Sequence, residues 1–321
     1  MAEDRVAYTQ WLKRGPGTYI PTDNAETVKE VEAGVYNIRY TEQMGFYVVK
    51  KDLKLDALVN LKSKEGKEVM KSMKQFWARY AKFKEYGYVY KRGILLYGPP
   101  GSGKTSIINL LCRELIQKMN GVVFILSSAR DLRIYRDNIA EIFRVIEPNR
   151  PLITIIEDID SLCRSEESET TLINILDGLE QLENVVYLAT TNYTENLSER
   201  LLNRPNRFDR RIKIGFPTPK AREAYFKFKM KDSDLGVIDM KKWVTDTNGF
   251  TIAHLGELIK SVIILGNDFD ETIKLLKELK VIPKSFDYNN ELDRKTIGYG
   301  GSKNIDDDYD DSDDEFDPEI D

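Results

Sequence analysis

Eight residues restrict this chain more than anything else in it: GPPGSGKT, Gly98 to Thr105, fits the pattern G-x-x-x-x-G-K-[ST]. In a chain of 321 residues a chance match is on the order of one per cent. The run leaves an apolar strand pattern, Ile94 to Tyr97, and opens a helical one from Ser106 to Leu115. Glycines at this junction let backbone N–H groups turn inward around phosphate oxygens, and the helix N-terminus adds its positive dipole. Gly98, Pro99, Pro100, Gly101, Ser102, Gly103, Lys104, Thr105 and Ser106 are therefore the candidate phosphate cradle. Lys104 is placed to reach the β and γ phosphates of ATP, and Thr105 to hold Mg2+.

Such a loop needs acids beside it, and LITIIEDID supplies them. Five mainly β-branched residues end in Glu157, Asp158 and Asp160, and a buried strand rarely ends so without a cation nearby. Glu157 is placed to hold Mg2+ through water, and Asp158 to take part in the metal site and activate the attacking water. Asp160 suits a helix-capping role better. A third strand pattern, VVYLATTN, ends in Thr190, Thr191 and Asn192. The Asn192 amide can bond the γ-phosphate or the attacking water, or close an Asx-turn. About a dozen residues on, RPNRFDRR carries Arg204, Arg207, Arg210 and Arg211, which either stabilise charge on a transferred phosphoryl group or are solvated.

These segments alternate. Strands at Gly93–Tyr97, 122–126, 152–156, 185–189 and 211–214 are separated by helical spacing, the signature of a parallel sheet covered on both faces. The reading is an α/β fold of the P-loop NTPase type, a five-stranded parallel sheet sandwiched by helices. Beyond Pro217 only helical patterns remain, near 219–230, 238–246, 251–265 and 269–280, and make an all-helical lid. Residues 1–86 read as a small N-terminal α+β element and linker helix. A hairpin is expected at Val35–Tyr40 and Phe46–Lys50, and a helix from Lys67 to Tyr86 whose Lys67, Lys71, Lys74 and Lys82 form a stripe. Residues 87–217 are the α/β domain, 218–285 the lid, and 286–321 a linker and tail.

That tail gathers eleven carboxylates between residues 305 and 321, with no Lys or Arg. Without them 48 bases face 42 acids, so the body is about +6 although the whole chain is −5. The tail is too charged to bury a core and is expected to be disordered, as a solubilising, partner-binding or nucleic-acid-mimicking segment. The longest apolar runs fall far short of the roughly 20 residues of a membrane span, and the start has no signal-peptide core, so no membrane insertion is expected. Cys112 and Cys163 lack metal or disulfide spacing. A cytoplasmic location follows as an expectation.

Taken together, GPPGSGKT, ITIIEDID, LATTN and LLNRPNRFDR resemble the AAA family of ATPases in order and spacing, and TNGFTIAHLGELI resembles that family's lid motif. The likeness covers about residues 87–280. It implies Walker A at Gly98–Thr105, Walker B at Glu157 and Asp158, sensor 1 at Asn192, and arginine fingers at Arg204 and Arg207 acting in trans. A homo-oligomeric ring, commonly a hexamer, follows from the fingers. His254 stands at the lid motif's usual acid position, and either approaches the nucleotide or packs.

Two departures stand out. Most relatives read Asp-Glu where this chain reads Glu157-Asp158, and EDID with LINILDGL is closest to the subgroup of the mitochondrial complex III assembly ATPase, without its transmembrane anchor. The shorter Asp side chain at the water-activating position implies slow hydrolysis. Where threading members carry an aromatic-hydrophobic-glycine pore loop, this chain has SSARDLRIYRDNIAEIF, with Tyr135 followed by Arg136 and no glycine. The expected function is a ring-forming ATPase that remodels a protein or protein complex. A nucleic-acid loader or motor using the basic body, and a slowly hydrolysing assembly switch, are the alternatives.

Overall fold

The computed structural model describes residues 10–15, 18–22, 27–52, 64–177, 182–204 and 206–279. The acidic tail and its linker, residues 286–321, lie outside the described residues. Strands β1 (Gln10–Gly15) and β2 (Thr18–Thr22) pair with each other, antiparallel, and among the described residues form a two-stranded sheet of their own. Strands β3 (Gly34–Thr41) and β4 (Gly45–Lys51) form the expected hairpin, closed at Thr41 and Gly45. The hairpin is not a separate N-terminal element, because β3 also pairs in parallel with the second strand of the α/β domain. Val35, Tyr36 and Ile38 are buried there, so the edge of the sheet is continued rather than left open.

Next come α1 (Lys64–Trp77) and α2 (Tyr80–Glu85) in place of one unbroken helix. The break at Ala78 and Arg79 turns Tyr80 and Phe83 onto Tyr90, whose ring stacks on Phe76 at a centroid distance of 4.3 Å. Aromatic packing around one buried ring outweighs the continuity of the helical ladder. Lys67, Lys71, Lys74 and Lys82 are all exposed, and Lys74 pairs with Glu114 at 3.3 Å.

The remaining elements of the α/β domain are β5 (Lys91–Tyr97), α3 (Lys104–Met119), β6 (Val122–Leu126), α4 (Ala129–Asn138), α5 (Arg144–Ile146), β7 (Leu152–Ile156), α6 (Ile159–Leu162), α7 (Glu166–Asp177), β8 (Val185–Thr191), α8 (Glu199–Leu202) and β9 (Arg210–Lys213). Their strands are the five expected ones, and the hairpin brings the sheet to seven in the order β4-β3-β6-β7-β8-β5-β9. Only the β3–β4 pair is antiparallel. Every residue of β6, β7 and β8 is buried, as a strand covered on both faces requires. Alternate side chains divide between two apolar layers: Phe124 and Leu126 join Tyr135 and Leu172 in one, while Val123 and Ile125 join Ile108, Leu111 and Met73 in the other.

The lid contains α9 (Pro219–Lys229), α10 (Asp232–Leu235), α11 (Met240–Asp246), α12 (Ile252–Ile259) and α13 (Phe269–Glu278) around its own core of Phe226, Trp243, Phe250 and Leu258. Four of these helices start at side-chain caps, Thr218, Asp239, Thr251 and Asp268. Among the described residues no helix is long and apolar enough to cross a membrane.

Candidate functional site

The phosphate loop joins β5 to α3, and its shape follows from its glycines. Gly101 sits at φ +74° and Gly103, the N-cap of α3, at φ +104°, both in the region open mainly to glycine. A Cβ on Gly101 would also lie 2.6 Å from the Cβ of Ala253. The reason is the lid: the Ala253 N–H, in the first turn of α12, donates to the Gly101 carbonyl at 3.1 Å. Loop and lid are in direct contact. Pro99 is buried, Pro100 and Thr105 are exposed, and Ser106 is half-buried.

Lys104 lies at the centre, only 7% exposed. Its ammonium donates to the carbonyls of Gly98 at 2.8 Å and Pro99 at 3.1 Å, and to Oδ1 of Asn192 at 2.7 Å. The Asn192 Nδ2 in turn donates to Oδ1 of Asp158 at 3.2 Å. Three segments far apart in sequence thus meet in one hydrogen-bonded line at the carboxyl ends of β5, β7 and β8, where open α/β sheets bind ligands. Burial pulls the Lys104 ammonium down to about 8, against the opposing pull of Asp158 and Asp160.

Asp158 has φ 47° and ψ 56°, a left-handed backbone in a residue that is not glycine. Asp and Asn are the side-chain-bearing residues that enter this region most readily, where others cost roughly 1–2 kcal/mol. The inverted Glu157-Asp158 order therefore puts the more tolerant acid at the left-handed position. Its N–H donates to Oγ1 of Thr190 at 3.1 Å, and its carboxylate is exposed to the site. Glu157 is half-buried just past β7. Asp160 accepts the Thr191 hydroxyl at 2.6 Å and lies in the first turn of α6, whose N-cap position is Asp158, so it ties the helix to β8 rather than capping it as expected. The roles of the Thr190 and Thr191 hydroxyls are new here; the only sign in the sequence was a polar cluster at a strand end.

A nucleoside triphosphate fits this site. Among the described residues the buried Ser102 hydroxyl has no hydrogen-bond partner, a deficit that a phosphate oxygen in the cradle would repair. Thr105, Glu157 and Asp158 offer the hard oxygen donors Mg2+ takes when phosphates complete its shell.

The outer candidates divide. Arg204 is exposed. Arg207 is 5% exposed and is held within its own subunit: it donates to the Arg200 carbonyl and its Nε lies 3.7 Å from Asp177. Its carbonyl oxygen would stand 1.8 Å from a Cβ on Gly93, so the loop lies flat on β5. His254 Nδ1 shares a 2.7 Å hydrogen bond with Thr251, and its ring lies against Phe250. Tyr135 is a core residue, 2% exposed, with its hydroxyl 2.7 Å from that of Thr154. Its side chain is packed into the core rather than presented at the surface. The stretch that would carry a pore loop is continuous helix: α4, a π-helical turn at Ile139–Phe143, then α5.

A parallel sheet with a glycine cradle, a strand-end acid pair, a strand-end amide and a helical lid defines a nucleotide-binding domain of the P-loop class. Residues 94–216 match the family described as "ATPase family associated with various cellular activities (AAA)", and the chain carries an AAA ATPase domain. It is 33% identical over 227 residues to the ATP-dependent zinc metalloprotease FtsH 2 of Sphaerobacter thermophilus, covering 66% of this chain and 34% of that protein. The FtsH 2 of Salinibacter ruber is 27% identical over 249 residues, 72% and 35% of the two chains. The FtsH of Caulobacter vibrioides is 31% identical over 219 residues, 63% and 34%. The chain spans about a third of the length of these curated relatives. The likeness to the complex III assembly subgroup rests on the motif residues alone. The 321 residues hold one histidine, whereas the H-E-x-x-H zinc-protease motif needs two.

Proposed function

We propose that the chain hydrolyses ATP as a member of a hexameric ring of its own copies, and that the ring remodels a protein or protein complex. The observation that carries this reading is the line Lys104–Asn192–Asp158. Lys104 would take the β and γ phosphates, Asn192 would hold the attacking water, and the Asp158 carboxylate would accept its proton. Mg2+, held by Thr105, Glu157 and Asp158, would neutralise charge on the phosphates. Arg204, exposed at the far edge, is the arginine free to enter a neighbour's site.

Transmission runs through the Gly101–Ala253 hydrogen bond, which couples the phosphate loop to the lid. A protein client is favoured by the likeness to ATP-dependent proteases, and the continuous helix from Ala129 to Ile146 favours remodelling without threading. We also place the chain in the cytoplasm, which suits two unpaired thiols, Cys112 and Cys163.

The test is ATP turnover against mass-resolved oligomeric state over a range of protein concentrations. Turnover that rises with ring formation and is abolished by Lys104→Ala supports the reading. Rings without phosphate release would replace it with an assembly switch, and turnover stimulated by DNA or RNA in a salt-sensitive way would favour a nucleic-acid motor.

A further inference from the structure

Strand β7 ends at Ile156, paired with Ala189, while β8 runs on to Thr191. Past that point the acid segment has no β-ladder partner among the described residues, and the Asp158 N–H is met by a side chain, the Thr190 hydroxyl, at 3.1 Å. Thr190 is 4% exposed, so its hydroxyl is fixed by the surrounding core rather than free to rotate into solvent. Two residues on, the Asn192 amide holds the Asp158 carboxylate at 3.2 Å. The end of β8 and the residue just past it therefore grip Asp158 twice, by its backbone through Thr190 and by its side chain through Asn192. Between the two grips the backbone is left-handed, at φ 47°, a conformation that persists only where its surroundings impose it.

We infer that Thr190 is a positioning residue for ATP hydrolysis: its hydroxyl anchors the left-handed backbone of Asp158, and so sets where the carboxylate stands relative to the attacking water. The inference rests on the ATPase reading of the site. Thr190 acts through the Asp158 backbone rather than on the nucleotide. Without its hydroxyl the Asp158 N–H loses its acceptor, the backbone relaxes toward the right-handed region, and the carboxylate leaves its place while the phosphate cradle stays as it is.

The experiment compares wild type, Thr190→Val and Thr190→Ser as full chains, measuring kcat, KM, ATP affinity by calorimetry and thermal stability. Val keeps the volume and branching but not the acceptor; Ser keeps the acceptor. Thr190→Val is expected to lower kcat by about tenfold to a hundredfold, at or below the lower end of the roughly 10²–10⁴-fold contribution of a positioned base. KM and ATP affinity stay close to wild type, and Thr190→Ser recovers most of the loss. Equal kcat in Thr190→Val and wild type overturns the inference and leaves the ATPase reading standing. So does a loss shared by Val and Ser in step with falling melting temperature, which marks a role in packing only. A wild-type ring that releases no phosphate overturns the ATPase reading, and this inference with it.

Discussion

The Lys104 ammonium donates to Oδ1 of Asn192 at 2.7 Å, bridging 88 positions of the chain. With the Gly98 and Pro99 carbonyls it completes a set of three acceptors around a buried cation. Phosphate oxygens of a bound triphosphate would compete with these acceptors for the ammonium, and the loop is shaped for a positive charge. The bond also fixes the amide orientation of Asn192, since its nitrogen is then the atom that faces Asp158.

The first prediction concerns pH. Burial lowers Lys104 to about 8, so its side chain is cationic below that value and increasingly neutral above it. Phosphates favour the cation, and ATP affinity is therefore expected to weaken as pH rises from about 7 to about 9, with proton uptake on binding near the midpoint. Calorimetry in buffers of different ionisation enthalpy reads both quantities. An affinity independent of pH across that range would refute the assignment of Lys104 as the titrating phosphate ligand.

Substitutions at Asp158 should separate backbone from chemistry. Asn enters the left-handed region as readily as Asp, so Asp158→Asn is expected to keep wild-type stability and lose turnover. Glu does not, and Asp158→Glu is expected to cost about 1 kcal/mol without exceeding wild-type activity. Thermal unfolding and phosphate release measure the pair. A more active Asp158→Glu would show that the short side chain, not the backbone, limits the reaction.

Much of this was legible in the sequence because each motif is contiguous and its neighbours in space are fixed by strand order. The cradle, the acid pair and Asn192 all lie at strand ends, and a parallel sheet brings such ends together. What sequence could not give was orientation. Arg204 and Arg207 are three apart in one loop, yet one is exposed and the other points inward onto Asp177. The hairpin β3–β4 read correctly as a hairpin, but its docking on β6 depends on an edge pairing that local periodicity does not encode. Tyr135 read only as the aromatic candidate of a segment without a pore-loop glycine; the structure places its hydroxyl against Thr154 in the core.

Tyr135 supplies the third prediction. Because its hydroxyl meets Thr154 in the core, Tyr135→Phe removes one buried hydrogen bond and is expected to cost about 1 kcal/mol, with ATP turnover unchanged. Denaturant unfolding and a client-remodelling assay read the two effects. A variant of unchanged stability that fails to remodel its client would mean that Tyr135 contacts substrate in the working ring.

The two arginines supply the last. Arg207 is buried beside Asp177 and Arg200, so Arg207→Ala leaves the half-buried Asp177 carboxylate without this partner, the Arg200 carbonyl without its donor and a void where the guanidinium packs. Losing a hydrogen bond made by a buried charged group typically costs about 2 kcal/mol, and a clear fall in melting temperature is expected even in the isolated subunit. Arg204 is exposed, and Arg204→Ala should change stability by less than about 0.5 kcal/mol. Its effect should appear only in the assembled ring, as lost turnover with ATP affinity retained. Mixing resolves the direction of action: Arg204→Ala subunits combined with Lys104→Ala subunits should regain turnover, because each Lys104→Ala subunit still offers its intact arginine to an Arg204→Ala neighbour with an intact cradle. No recovery on mixing would place Arg204 outside the neighbour's site.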